Sequence, residues 1–284
     1  VLTGDTNLGA GIFTFSDFAD NAWGLEVQGS LIGAGVDQTV LQMVPRTSTK
    51  SGMIPTAAMS TNPLSLVTGT GSPVLSGFTV AATDQGHLYN GLRLNDTTNA
   101  RISDVKVVGI PGNSVSPPGE TFVINDYSSD GNIYTNIEID GRDVAAAGMG
   151  INSTTNLTIN GLTVRNCKYS GAITFWKSSD VVVNDLDVAN NHKSINMEQN
   201  TGSFTFNRPR FGSTTDTDMD LSTFSTLGST KITINDPRLE PGQQIRIRAY
   251  QGAHAYGGPN QQNINDIKVY VDGVDKTAEL VRWI

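Results

Sequence analysis

The stretch Asn156-Leu157-Thr158-Ile159-Asn160-Gly161-Leu162-Thr163-Val164 returns one period later as Asp180-Val181-Val182-Val183-Asn184-Asp185-Leu186-Asp187-Val188. Both contain three apolar residues in the order apolar-x-x-apolar-x-apolar, with a polar or small pair between the first two. Working outward, the same pattern recurs as Leu75-Phe78-Val80, Ile102-Val105-Val107, Tyr134-Ile137-Ile139, Phe206-Pro209-Phe211 and Ile234-Pro237-Leu239. The first members are separated by 27, 32, 25, 24, 23 and 28 residues along the series from Leu75 to Ile234. The pairs are Ser76-Gly77, Ser103-Asp104, Thr135-Asn136, Asn160-Gly161, Asn184-Asp185, Asn207-Arg208 and Asn235-Asp236, residue types that let a chain turn sharply between strands. Further short strands fill each unit: Gly91 to Leu94, Thr121 to Ile124, Ala172 to Phe175 and Ser194 to Met197.

About three short strands per unit, with a period in the twenties, is the signature of a solenoid; a propeller blade needs roughly 40 residues. The expectation is an all-β chain folded as a right-handed parallel β-helix of about eight rungs. Asn160, Asn184, Asn207 and Asn235 fall in one phase, which predicts a ladder of side-chain amides along the axis. Residues 1–24 read as an N-terminal cap, 25–240 as the helix with a long polar loop at 45–73, and 241–284 as a last rung with a C-terminal β cap or assembly element. Period-two alternation in 244–248 and 266–271 reads as strands that no longer keep the rung phase.

Composition narrows the function. The chain has 284 residues with 19 Lys plus Arg against 27 Asp plus Glu, a net charge of -8. Nucleic-acid affinity rests on clustered cations, so nucleic acid is not expected as a partner. A lone cysteine, Cys167, forms no internal disulfide, and three histidines give little material for a structural zinc site. No apolar run nears 18 residues, so no membrane-spanning helix is expected, and no cofactor or metal is implied. Asp216-Thr217-Asp218-Met219-Asp220 opens like a calcium loop, but Leu221 and Leu227 stand where an EF-hand needs Gly and Glu.

Aligning the rungs gives outward columns. One reads Thr79, Lys106, Glu138, Thr163, Asp187, Arg210, Arg238. Glu138 and Asp187 lie two rungs apart, about 9 to 10 Å at the strand spacing, at the upper edge of the separation of an inverting carboxylate pair. They are the candidate catalytic residues, set against the plainer reading of a solvated face of alternating charge. A second column reads Arg93, Thr174, Asn196, with neighbours Asn95, Asn152, Trp176, Glu198. If Phe175 and Met197 point inward, Trp176 offers an apolar face for a sugar ring, Glu198 offers acceptors for its hydroxyls, and Arg93 completes a candidate substrate-binding set.

The segment Gly29-Ser30-Leu31-Ile32-Gly33-Ala34-Gly35-Val36-Asp37-Gln38-Thr39-Val40-Leu41, together with the later rungs, resembles the pectin-lyase-like parallel β-helix superfamily, including pectate-lyase-like phage tail proteins. The resemblance covers roughly residues 25–240. It implies the fold but not one activity, because that fold hosts lyases, hydrolases, epimerases and non-catalytic spikes. The Asn-Thr-Asp, Asp-Asp, Gly-His-Gly and Arg-Ile-Lys segments of polygalacturonase-type hydrolases are missing; Gly86-His87 is followed by Leu88. By analogy the resemblance implies an extracellular tail-spike or receptor-binding protein on a phage virion, a homotrimer that recognises bacterial surface polysaccharide with or without cleaving it. The alternatives are a monomeric secreted lyase or glycoside hydrolase and a purely structural virion or adhesin component.

Overall fold

A computed structural model of the chain describes residues 1–15, 23–43, 65–82, 90–110, 122–168, 170–222, 230–251, 254–255 and 267–284. Two large sheets run along one axis, of 14 and 11 strands, paired almost entirely in parallel between successive rungs. This is a β-solenoid, of about seven turns rather than the eight expected. In the smaller sheet (sheet A) the order includes Ser65–Gly71, Asn90–Thr97, Phe122–Tyr127, Ala147–Asn152, Gly171–Trp176, Lys193–Glu198, Met219–Ser222 and Ile245–Gln251. Sheet B carries the pattern that opened the sequence reading, as Val74–Ala82, Arg101–Val108, Ile133–Asp140, Thr155–Arg165, Ser179–Ala189 and Thr201–Asn207.

The register is the one the spacing predicted. Leu75, Ile102, Tyr134, Ile159, Val183, Phe206 and Ile234 are successive partners, and Val80, Val107, Ile139, Val164 and Val188 form a second stack. All are buried in one core. From sheet A come Val67, Leu92, Ile124, Met149, Ile173, Ile195, Met219 and Ile247. Each such burial contributes roughly 1.5–3 kcal/mol, so the stacks hold the rungs together without a disulfide. Phe175 meets Phe204 and Phe206 edge-on, with ring centroids 5.3 and 6.2 Å away.

The turn pairs act through backbone geometry. Gly77, Asp104, Asn136, Gly161, Asp185, Arg208 and Asp236, the second member of every pair, all have φ between 48 and 76°. That left-handed bend splits each sheet B strand into two legs, so a rung has three. It costs a non-glycine residue roughly 1–2 kcal/mol, and Gly, Asn and Asp, which fill six of the seven positions, tolerate it best. Beside it runs the asparagine ladder: Asn184 donates to Asn160, Asn207 to Asn184 and Asn235 to Asn207, each at 2.7 Å. A second bend column, Asn99, Gly131, Asn156, Asp180 and Gly202, repeats at the corner from sheet A to sheet B. There Thr97, Ser129, Thr154, Ser178 and Asn200 bury their side chains and bond across rungs, as in Thr97 Oγ1 to Ser129 Oγ at 2.8 Å.

Two stretches depart from expectation. Part of 45–73, expected as loop, is the sheet A strand Ser65–Gly71; its Ser and Thr side chains sit on that sheet's polar outer face, which hid the strand. Residues 44–64 lie outside the described residues. Within 1–24, Asp5–Asn7 and Gly11–Phe15 pair in parallel with Ser30–Ile32 and Thr39–Met43, so these two strands continue sheet B at its N-terminal end. Near the other end Ile267–Val271 keeps the rung phase after all, with Val269 opposite Ile234 and Tyr270 opposite Asn235. The long connection before it disguised the period. A hairpin to Val274–Asp275 and the short helix Thr277–Leu280 follow, and Val281–Trp283 returns to sheet A.

Candidate functional site

The outer face of sheet A gathers the polar groups. Thr68, Arg93, Asn125, Gly150, Thr174, Asn196, Asp220 and Arg248 are successive register partners, and they alternate with inward residues such as Ile173 and Phe175. Two residues on, Asn95, Tyr127, Asn152, Trp176 and Glu198 form the neighbouring column. The expected set therefore shares one face: Trp176 is directly opposite Glu198, and Arg93 lies three rungs from Thr174.

Arg93, Asn125, Thr174, Asn196 and Asp220 are all buried, whereas Tyr127, Trp176 and Glu198 are partly or well exposed. Arg93 donates to Asn95 Oδ1 at 3.0 Å and stands 5.2 Å from the centre of the Tyr127 ring. Burial pulls its pKa down while Tyr127 and Asp96 work in the other direction. Asn152 donates to Asn125 Oδ1 at 2.7 Å, and Asn196 Nδ2 donates to Glu198 Oε1 at 3.0 Å. The Lys177 ammonium rests 4.3 Å from the centre of the Trp176 ring and covers one of its faces. Gly150 has no side chain because the Phe122 ring occupies that space; a Cβ there would meet ring atoms at 2.4 Å.

Toward the C-terminal rungs the face becomes ionic. Asp220 accepts from Lys193 at 2.6 Å and from Arg248 at 2.7 Å, Arg248 also holds Asp216, and Arg246 holds Asp218 at 3.1 Å. Burial pushes the Asp220 carboxyl up, but the Arg248 and Lys193 hydrogen bonds outweigh it and hold the pKa below the ordinary value. The carboxylates that resembled a calcium loop are thus neutralised by cations, and no metal-ligating group of three or more exists among the described residues. His192 joins the edge of this network, with Nδ1 3.0 Å from Thr215 Oγ1 and Nε2 3.8 Å from Asp216.

Glu138 and Asp187 lie on sheet B, away from this face, in the expected column and two rungs apart. Lys106 sits 3.3 Å from Glu138, and Asp187 is held between Arg165 at 3.1 Å and Arg210 at 2.8 Å. The column is a ladder of paired charges in which neither carboxylate stands without a cation. Cys167 is buried and its thiol is pushed up to about 12, first by burial and then by Asp140 and Asp143, which makes it an inert core thiol.

Sequence reasoning missed Asn125, Gly150, Phe122, Lys193 and Asp220 as members of the sheet A face. Asn125, Gly150 and Asp220 fill the gaps in the column read as Arg93, Thr174 and Asn196, and connections of unequal length between rungs hid their phase.

No known family profile matches the chain, and no curated protein matches it. Among solved structures it is similar to the catalytic domain of a GH87 alpha-1,3-glucanase in complex with tetrasaccharides, at 10% identity and TM-score 0.42, over 95% of this chain and 64% of that one. It is also similar to the mannuronan C-5 epimerase AlgE4 A-module of Azotobacter vinelandii, at 13% identity and TM-score 0.34, over 86% of this chain and 67% of that one. A third is the Agl-KA catalytic domain, at 13% identity and TM-score 0.31, over 93% and 62% of the two chains. The chain thus spans about two thirds of the length of these structures, and likenesses this distant fix no chemistry for it. Its own structure is a parallel β-solenoid, the architecture of the superfamily its rungs resemble.

Proposed function

We propose that the chain recognises polysaccharide along the outer face of sheet A. One observation carries this reading. Two partly exposed aromatic rings, Tyr127 and Trp176, stand in one column two rungs apart, beside a row of Arg, Asn and Thr side chains on the same face that only Gly150 interrupts. Aromatic faces take the apolar sides of sugar rings, and fixed amides and hydroxyls take their hydroxyl groups. A repeating polymer suits a repeating face, since each added rung offers the same pair of columns again about 4.8 Å further on.

The wider setting in this proposal is that of a spike: an extracellular homotrimer on a phage tail that binds bacterial surface polysaccharide. Binding titrations of the full chain against bacterial capsular and O-antigen polysaccharides test the core of it. Trp176→Ala is expected to weaken binding about tenfold at unchanged fold by circular dichroism; equal affinity would remove this face as the site. Sedimentation tests the assembly, and a stable monomer would discard the spike setting while leaving the binding face intact. Incubation with the bound polymer separates a binder from a depolymerase: new reducing ends with an unsaturated product indicate a lyase, and reducing ends alone a hydrolase.

A further inference from the structure

Of the buried polar atoms left without a partner among the described residues, Thr174 Oγ1 and Asn196 Oδ1 stand side by side on the sheet A face. They belong to register partners on adjacent strands, and each residue is only 6% exposed. An unmet buried hydrogen-bonding atom costs about 1–3 kcal/mol, so a fold that keeps two side by side has left a defined place for a ligand group. Gly171 packs against both residues, since a Cβ there would stand 3.1 Å from Thr174 Oγ1 and 3.1 Å from the Asn196 Cβ. The Phe122 ring over Gly150 flanks the two residues on one side, and the Lys193 to Asp220 ion pair flanks them on the other.

The chemistry of the walls says what fits. Asn196 Nδ2 is already given to Glu198, which leaves Oδ1 as an acceptor that calls for a donor. Thr174 Oγ1 can accept or donate. The bordering cations are engaged, Lys193 and Arg248 with Asp220 and Arg246 with Asp218, while Lys177 lies on the Trp176 ring at the rim. The nearest carboxylate on the rim is Glu198, which repels an anion. Resting on the polysaccharide reading above, we propose that this stretch of the sheet A face selects a neutral sugar unit, whose hydroxyl donates to Asn196 Oδ1 and bonds Thr174 Oγ1, and that it rejects sugars carrying a carboxylate. Because both protein atoms are shielded from water, a partner that fails to satisfy them leaves them unpaired, which is the condition under which hydrogen-bonding sites discriminate most strongly.

The test uses the full chain on an array of neutral and carboxylated oligosaccharides, with affinities of the neutral glucans, mannans and galactans and of polygalacturonate and alginate measured at low and high salt. Binding is expected among neutral members only, with less than a twofold change between the salt conditions. Thr174→Val keeps the shape and removes the hydroxyl. It should lower affinity about tenfold while the unfolding midpoint stays level or rises, because an unmet buried hydroxyl has gone. Thr174→Ser should restore binding. Tighter binding of carboxylated members, or wild-type affinity in Thr174→Val, overturns the selection and leaves polysaccharide recognition standing. An array without any binding removes both.

Discussion

Sheets A and B share one core and differ on their outer faces. In sheet A, the strand Gly171–Trp176 is buried at every residue except Trp176, and Ala147–Asn152 is buried throughout. In sheet B, Ile133–Asp140 and Thr155–Arg165 alternate between buried and open residues, as a half-solvated wall does. The inward stacks are mainly apolar in both, with Asp126 the charged member on the sheet A side. The difference lies in what the outward residues meet: sheet B charges pair with each other at the surface, whereas the sheet A polar groups are enclosed, most of them bonded to the neighbouring column. Enclosure makes each polar group there consequential, because a lost partner is not replaced by water.

The largest expected effect falls on what the sheets share. Phe175→Ala empties the point where a sheet A ring meets Phe204 and Phe206 of sheet B, and should cost about 3–5 kcal/mol in urea denaturation. A loss below about 1 kcal/mol would mean that the two sheets are not packed through this ring. Next comes a direct contrast between the outer faces. Lys193→Met strips one cation from Asp220, whose side chain is only 2% exposed, and should cost about 3 kcal/mol even though Arg248 remains. The matching change on the other side, Asp185→Asn, breaks an Arg208 pair in open solvent and should leave the unfolding midpoint within error. Equal effects of the two would erase the distinction drawn between the faces.

Proton linkage separates the enclosed groups further. Asp220 has a folded pKa below its unfolded one, so its contribution is present above the ordinary aspartate range and is lost as pH falls through the lowered value. Asp126 is the opposite case. It faces the core, where Tyr134 donates to it at 2.8 Å and Asn132 at 3.0 Å, yet burial still raises its pKa above the ordinary value. The unfolded carboxyl then ionises first as pH rises, so stability drops between the ordinary and the raised value and is level above it. Thermal midpoints of Asp126→Asn from about pH 3 to pH 7 should lack that drop, and Asp220→Asn should lack the acid-side loss. A variant whose pH profile parallels the wild type would remove the corresponding assignment.

How much of this was legible beforehand follows from what repeats. The apolar stacks, the bend column from Gly77 to Asp236 and the asparagine ladder depend on residue type at fixed phase within one long strand, and the period shows them directly. Asn184→Ala should accordingly cost about 1–2 kcal/mol, since it takes two ladder bonds at once. The sheet A row is different. Connections of unequal length separate its strands, so Trp176 and Glu198 could be matched across one short turn, while Asn125 and Asp220 could not be joined to Arg93. Ser65–Gly71 escaped for a related reason: its outward Ser65 and Thr68 look like loop chemistry until the polar face they belong to is known. Ion pairs such as Lys193 with Asp220 join residues three positions out of phase on adjacent rungs, which no column of equal phase displays.

The smallest effects are expected where the sequence pointed most openly to catalysis. Glu138 and Asp187 lie two rungs apart in one column, but each faces a cation on sheet B, Lys106 for the first and Arg165 with Arg210 for the second. Glu138→Gln removes one exposed ion pair, from a lysine that also reaches Asp37 at 3.7 Å, and should change stability by less than about 1 kcal/mol. Asp187→Asn leaves two arginines facing an amide and should cost slightly more. Neither change touches the sheet A columns, so polysaccharide affinity should match the wild type in both. If the chain proves to cleave its polymer and either variant abolishes cleavage while binding persists, the chemistry lies on sheet B and the polymer must reach around the corner between the sheets. Retained cleavage in both variants would place the reacting groups beside Glu198 instead, the carboxylate that already shares a face with Trp176.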